Sequence, residues 1–321
     1  MRFAEMIDGV IEVPVVTSFT RLGYDVRSRL AHWTKLDDYH LEGRVMVITG
    51  ASSGLGLVAA EQLADRGAVV VLLGRDRVKT ERVRDEIAAR TGNTSLEVVV
   101  ADMGDLDAVR AAAAQIQATH SRVDVLVHNA GALTADRRVA ASGVEQTVAS
   151  QVVGPHLLTS LLLPQLRAAG PGRVIVMSSG GMYASPLRVS DLQMGDDYKG
   201  SEQYARAKRA QVTLNEMWAE RVSPHDVVFH AMHPGWADTP GVRESLPTFR
   251  KIVGPLLRTA AQGADTLVWL AADDGEPLAS TGVFWLDRAR RSIHKLPSTR
   301  RSDTPQRRLE LWDWVVSASG S

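Results

Sequence analysis

Val45-Met46-Val47-Ile48-Thr49-Gly50-Ala51-Ser52-Ser53-Gly54-Leu55-Gly56 is the stretch that decides the fold, an apolar strand turning through glycines into a helix that runs from Leu55 to Asp65. A helix N-terminus offers unpaired backbone N–H groups and the positive end of a dipole, and glycine at 50, 54 and 56 lets a pyrophosphate approach the backbone. That chemistry suits a dinucleotide. An ordinary tight strand-to-helix turn has the same look, so the surrounding sequence must choose between them.

Outward from this turn, apolar runs and amphipathic segments alternate. Val69 to Leu73, Leu96 to Val100, Val123 to Val127, Val174 to Met177, Val227 to Ala231 and Val283 to Leu286 are further strands. Between the early ones lie a charged helix over Thr80 to Arg90 and an Ala-rich helix that Asp105 can cap. Continuous Val, Leu and Ile strands joined by helices call for a parallel sheet covered on both faces by right-handed crossovers. The predicted fold is α/β, a single Rossmann-like doubly wound parallel sheet. The expected division is an N-terminal helical extension over 1–44, one NAD(P)-binding unit over 45–290, and a C-terminal tail with a helix over 291–321.

Composition narrows the function classes. Lys+Arg and Asp+Glu both number 37, so no basic field for nucleic acid exists and no nucleic-acid partner is expected. With no cysteine there are no disulfides and no thiolate metal sites. The nine histidines lack helical ligand spacing, so no metal is assigned. Apolar runs fall far short of the roughly 20 residues of a membrane span, and no signal-peptide pattern opens the chain. A cytoplasmic enzyme is the expectation, with no transmembrane segment. In the leader, Val10 to Val16 is an apolar stretch broken by Pro14, and Phe19, Leu22, Val26 and Leu30 recur at helical spacing beside Arg21, Arg27 and Arg29. That stripe predicts a helix packed on the core and leaves peripheral membrane contact or an oligomer contact open.

Cofactor choice is written after the second strand, where a carboxylate accepts from the ribose hydroxyls of NAD and a basic side chain favours the 2′-phosphate of NADP. Here Leu73-Gly74-Arg75-Asp76 offers no carboxylate at the strand end, and Arg75 follows with a planar fork suited to phosphate. NADP(H) is expected over NAD(H). Asp76 fits better as the start of the next helix. Farther on, Tyr204-Ala205-Arg206-Ala207-Lys208 puts a phenol and an ammonium four residues apart on one helical face. A neighbouring ammonium favours phenolate, so Tyr204 is expected to have a lowered pKa and to serve as general acid. Ser178 and Ser179 end the preceding strand at the edge where such sheets bind ligands.

Taken together, Thr49-Gly50-Ala51-Ser52-Ser53-Gly54-Leu55-Gly56, Asp102, Asn129-Ala130-Gly131, Ser179, Tyr204 with Lys208, and Pro234-Gly235 resemble the short-chain dehydrogenase/reductase family in type and order. A closer resemblance is to the orphan dehydrogenase/reductase member 12 group, through Ser178-Ser179-Gly180-Gly181-Met182 and His233-Pro234-Gly235-Trp236 with its continuation to Val242. The resemblance implies that Asp102 contacts the adenine, Asn129 supports the cofactor pocket, and Lys208 holds the nicotinamide ribose. It implies further cofactor contacts from Ser52, Ser53, Leu55, Met103, Ala130, Gly131 and Thr239. Ser179 would bond the substrate oxygen and Tyr204 would exchange a proton with it. A homodimer or homotetramer through helices around Leu157 to Leu166 and Gln203 to Glu220 is also implied, with leader and tail able to block either contact.

Two positions depart from the family pattern. His128 stands where a second asparagine is usual, and a packed neutral imidazole is expected there. Gln151 stands where the family's asparagine holds a water in the proton path, and its longer stem either holds that water or fills its place. Met182, Tyr183, Leu187, Leu192, Met194, Leu246, Phe249, Ile252 and Val253 suggest an apolar rim and a lipophilic alcohol or carbonyl substrate. The expected activity is an NADP(H)-preferring oxidoreductase on an alcohol/carbonyl pair. The alternatives are a catalytically weak cofactor-binding protein of the same fold and an NAD-dependent alcohol dehydrogenase.

Overall fold

Strands without polar alternation belong inside a sheet that is covered on both faces. In the computed structural model, which describes Asp8, Glu12, 15–245 and 247–321, they are β1 Val45–Thr49, β2 Val69–Gly74, β3 Leu96–Val100, β4 Val125–His128, β5 Gly172–Met177, β6 Val227–Met232, β7 Val283–Leu286 and β8 Ala289–Arg291. Side chains at 15, 16, 244, 245, 247, 249 and 252 lie outside this description. One sheet runs in the order β3-β2-β1-β4-β5-β6-β7-β8. The first seven strands are parallel, with Val45 opposite Val69 and Met46 opposite Val125, and β8 returns antiparallel on β7. The order therefore reverses between β1 and β4, which opens the ligand crevice of this topology at their C-terminal ends.

The helices are α1 Val15–Phe19, α2 Arg21–Leu30, α3 Gly54–Ala64, α4 Arg77–Thr91, α5 Leu106–Thr119, α6 Gly154–Ala169, α7 Gly200–Arg221, α8 Pro240–Ser245, α9 Pro247–Val253, α10 Ala260–Ala272, α11 Pro297–Ser302 and α12 Pro305–Ser319. On one face α3, α4 and α10 bury Leu63, Ile87 and Leu267 against Met46, Ile48 and Leu72. On the other, α5 and α6 set Ile116, Leu158 and Leu162 against Val47, Leu73 and Leu126. Capping agrees with the sequence. Asp76 accepts from the Lys79 N–H at 3.0 Å to start α4, and Asp105 accepts from the Asp107 and Ala108 N–H groups at 3.1 and 3.2 Å to start α5.

The leader departs from its predicted stripe. Val10, Ile11, Val13 and Pro14 lie outside the described residues, and Thr20 divides Phe19 from the helix that carries Leu22. Leu22 is 57% exposed, whereas Gly23 and Arg27 are the buried residues of α2. A Cβ on Gly23 would press into the Thr17 and Ser18 carbonyls, so this glycine is what lets α2 fold back on α1. Arg27 is buried because acids surround it, bonding Asp8 and Asp287 at 2.7 Å and Glu12 at 3.0 Å. Strand β8, too short and too Arg-rich to show in the sequence, follows β7 as a hairpin. The tail helix α12 buries Leu311 and Val315 beside Leu214 and Met217 of α7. Trp312 meets Trp218 and His156 edge-on, and the Arg221 guanidinium lies 4.1 Å from its ring centre.

Candidate active site

Backbone conformation builds the first half of the site. Gly50 and Gly54 have φ of +67° and +59°, which side-chain-bearing residues rarely adopt. Gly56 is required for space, because a Cβ there would sit 2.5 Å from the Gly50 carbonyl oxygen and closer still to Asn129 Nδ2. Thr49 Oγ1 donates to the Val127 carbonyl at 3.1 Å and accepts the N–H groups of Asn129 and Ala130, each at 3.0 Å. The Asn129 amide donates to the Thr49 and Gly50 carbonyls at 3.0 and 3.2 Å. These bonds join the ends of β1 and β4 and hold the turn open. At the helix start, Ser53 makes no side-chain bond to the first turn of α3 and is exposed, beside a partly exposed Ser52.

The residues expected around the turn divide by exposure. Arg75 is exposed at the end of β2 and, among the described residues, makes no hydrogen bond or ion pair. Asp102, partly buried after β3, accepts from the Gly104 N–H at 2.8 Å. Met103 is 4% exposed, its side chain packed into the core with Val99 and Leu158. Leu55 is partly buried against Gly263 of α10. Thr239 comes 3.9 Å from a Cβ built on Gly54, which puts the start of α8 across from the glycine turn. Gly235, with φ +71°, rests on the Arg258 guanidinium, and Pro234 precedes it half-buried. Ala130 is partly buried and Gly131 exposed.

Ser179, Tyr204 and Lys208 come together at the end of β5. Tyr204 faces Ser179, whose hydroxyl favours the phenolate, and Ser179 Oγ accepts from the Gly181 N–H at 3.4 Å. Lys208 Nζ lies 5.6 Å from the Tyr204 ring centre, so the two point into one volume as their spacing predicts. Its ammonium, however, donates to the Met177 carbonyl at 2.8 Å and to Gln211 Oε1 at 3.0 Å. Burial depresses the lysine to about 7. Burial likewise holds the phenol above its ordinary value, opposed by the Ser179 hydroxyl. The expected lowering of Tyr204 by the ammonium is thus overturned, because a lysine that is itself desolvated and bonded elsewhere exerts little pull. Gln211 carries no motif. Its only signal in the sequence is its place three residues beyond Lys208 on the same helical face.

Gln151 is buried in a π-turn, Ala149–Val153, ahead of α6, a local widening found often at functional sites. Its amide donates to the Ala132 carbonyl at 2.9 Å, while Oε1 has no partner among the described residues. Gln151 Oε1 and Lys208 Nζ flank Gly131, at 3.2 and 3.4 Å from a Cβ built there, without bonding one another. His128 is packed as expected. Burial pulls it to about 3, and Nε2 bonds Thr159 Oγ1 at 2.8 Å.

The apolar rim is corrected. Met182, Tyr183, Leu187, Leu192 and Met194 are at most 6% exposed and belong to the core. Leu246 and the side chains of Phe249 and Ile252 lie outside the described residues, and Val253 is partly buried. The leader, expected only to pack on the core, backs the site instead. Phe19 of the leader stacks on His233 with ring centres 4.3 Å apart, and a Cβ on Gly180 would sit 3.0 Å from its ring. A separate crevice of about 390 Å³, lined by Asp37, Glu42, Arg66 and Asn93, lies at the opposite ends of the strands and takes no part.

With this geometry in hand, residues 44–248 match the family model described as short chain dehydrogenase. The chain is 36% identical over 296 residues to human dehydrogenase/reductase SDR family member 12, covering 91% of each. It is 32% identical over 311 residues to retinol dehydrogenase 12 of Bos taurus, covering 95% of this chain and 96% of that one. Among solved structures, a protein described as a short chain dehydrogenase from Escherichia coli CFT073, complexed with NADPH, superposes with a TM-score of 0.64 at 25% identity, covering 80% of this chain and 100% of that one.

Proposed function

Because the chain belongs to the short-chain dehydrogenase/reductase family, we propose that it is an oxidoreductase that interconverts a lipophilic alcohol and its carbonyl compound with NADP(H) preferred over NAD(H). The observation that carries this reading is the convergence of Ser179, Tyr204 and Lys208 on the crevice that begins at the Gly50–Gly56 turn. The turn fits the cofactor, since two left-handed glycines and a third with no room for a Cβ leave backbone exposed where a pyrophosphate would rest. In this reading the residues at 49–56, with Asn129 to Gly131, Asp102, Pro234-Gly235 and Thr239, hold the dinucleotide, and Arg75 takes the 2′-phosphate. Arg75 suits that role because it is exposed and, among the described residues, no acid pairs with it. The bound cofactor supplies or accepts the hydride.

Ser179 positions the substrate oxygen and Tyr204 exchanges a proton with it. A phenol held above its ordinary pKa is protonated at neutral pH, the form needed to donate during carbonyl reduction. Support for a lipophilic substrate comes from the retinol dehydrogenase relatives. Residues 45–290 form the catalytic unit in this reading, with 1–44 and 291–321 as extensions to it. A homodimer or homotetramer is proposed, and because α12 covers Leu214 and Met217 on α7, a partner would meet α12 in place of that stretch of α7. Among the described residues no helix is long and apolar enough to cross a membrane.

The test is a panel of carbonyl and alcohol compounds read by NADPH absorbance, with Tyr204→Phe as control. The variant is expected to lose about 10²–10⁴-fold in kcat while NADPH binding is retained. Tight NADPH binding with no Tyr204-dependent turnover across the panel would refute the enzymatic reading in favour of a cofactor-binding protein. Cofactor choice is tested separately. Arg75→Glu is expected to lower NADPH affinity at least tenfold relative to NADH, and an unchanged ratio would overturn the assignment of Arg75.

A further inference from the structure

Behind Lys208, on the side away from the glycine turn, a small cavity of about 20 Å³ is lined by His128, His156, Gln211 and Asn215 together with Thr159 and apolar side chains. All four of these polar residues are buried, at 2%, 4%, 4% and 3% exposure. His128 Nδ1, His156 Nδ1, Gln211 Nε2 and both atoms of the Asn215 amide have no hydrogen-bond partner among the described residues. A buried polar atom left without a partner destabilises the core around it, so five around one cavity call for a shared partner. The space is that of one water molecule, which needs roughly 10–15 Å³ and two to four polar partners.

We propose that this cavity is a built site for one ordered water, and that the water fixes the Gln211 amide so that its oxygen, rather than its nitrogen, faces Lys208. One water satisfies four of the five atoms: the N–H groups of Gln211 and Asn215 donate to the water, and the water donates to Asn215 Oδ1 and to one histidine Nδ1. In the tautomer that gives its Nε2–H to Thr159, His128 presents Nδ1 as an acceptor. Gln211 and Asn215 are therefore positioning residues that act on the lysine from its buried side, a place where Gln151 makes no bond to it. The titratable groups facing this chain are Lys208 and Tyr204 from α7, His128 from β4 and His156 from α6. No carboxylate among the described residues pairs with Lys208. A Gln211 amide turned the other way would set two donors against each other at 3.0 Å, so anchoring its nitrogen is what keeps the ammonium bonded.

The proposed catalytic use of Lys208 rests on the function given above, so the test reads the lysine without requiring turnover. High-resolution crystallography of the full chain is expected to show a water within hydrogen-bond distance of Gln211 Nε2 and at least two of the other four atoms. A dry cavity overturns the proposal. Gln211→Met and Asn215→Leu, one sufficing should the other fail to fold, are expected to move the Lys208 Nζ titration by at least half a pH unit, read by ¹⁵N NMR on the full chain with and without NADPH. Gln211→Glu, which keeps an acceptor, is expected to keep the ammonium bonded and to move the titration upward instead. Water present but the Lys208 titration unmoved in every variant that folds refutes the positioning role. If turnover is found, its pH profile should shift with the lysine while KM for NADPH stays within twofold. Absence of turnover with the NMR shifts intact would fault the enzymatic reading alone.

Discussion

Gly56→Ala is the substitution in which the geometry of the glycine turn can be weighed most directly. Alanine in a helix interior gains about 1 kcal/mol over glycine from backbone entropy, so propensity alone predicts a more stable protein. Against that, the new Cβ would lie 2.5 Å from the Gly50 carbonyl oxygen and nearer still to Asn129 Nδ2. The carbonyl is backbone and cannot swing away. Asn129 can move only by breaking its bonds to the Thr49 and Gly50 carbonyls at 3.0 and 3.2 Å, each worth about 1 kcal/mol. With about 1–3 kcal/mol for the residual overlap, the cost is about 3–5 kcal/mol against a gain of about 1, a net loss of about 2–4 kcal/mol. For a chain of this size that corresponds to a fall in Tm on the order of 3–6 °C. NADPH affinity should fall at least tenfold, because displacing Asn129 disturbs both strand ends that frame the crevice. Thermal melting and NADPH titration measure both, with Gly195→Ala as the control because a Cβ there meets nothing within 4 Å. An unchanged Tm and NADPH affinity in Gly56→Ala would refute the account of why glycine occupies this position.

Two further perturbations probe the core around the site. Asp287 bonds Arg27 and Arg258 at 2.7 and 2.5 Å with all three side chains at most 4% exposed, so Asp287→Asn leaves buried guanidinium charge uncompensated. Loss of about 3–5 kcal/mol in urea unfolding is expected, and a loss below about 1 kcal/mol would contradict the reading of this cluster as the link between leader and core. Burial depresses His128, His156, His230 and His233 to about 3, 4, 4 and 3. A histidine whose folded pKa is depressed is neutral in both states above pH 6.5, whereas below it the unfolded chain gains protons that the folded one refuses. The contribution of these histidines should therefore be constant from about pH 7 upward and fall steadily from pH 6.5 towards 4, at pH 5 by about 2 kcal/mol for each such histidine. Denaturant melts across pH 4–8 would reveal this, and a flat profile down to pH 5 would contradict the buried neutral state.

The site is reached through an unusual division of labour between local and distant sequence. The face proposed as catalytic is made by residues four apart on α7 and by the end of β5, but the support beneath comes from far along the chain. Phe19 reaches the Ser179–Gly180 turn from the leader, and Trp236 donates its backbone N–H to the Phe19 carbonyl at 2.7 Å. Arg258 then ties the Ser18, Phe19 and Thr20 carbonyls to Asp287. The leader is therefore built into the framework that holds the Ser179 turn.

What the sequence determined by itself was everything set by periodicity and by backbone chemistry. Unbroken Val, Ile and Leu runs specify buried parallel strands, Asp76 and Asp105 specify helix starts, and glycines at 50, 54 and 56 specify a turn with exposed N–H groups, since each follows from neighbours within a few residues. The four-residue step from Tyr204 to Lys208 likewise placed both on one face. Only the tertiary structure decided what surrounds them. That Lys208 bonds Gln211 and a carbonyl, that Tyr204 is raised rather than lowered, that Met182 and Leu192 are core, and that Arg27 is buried among acids all depend on desolvation and on partners up to 260 residues away. Local pattern carries no record of such partners, because a buried charge or amide is set by what the fold brings against it.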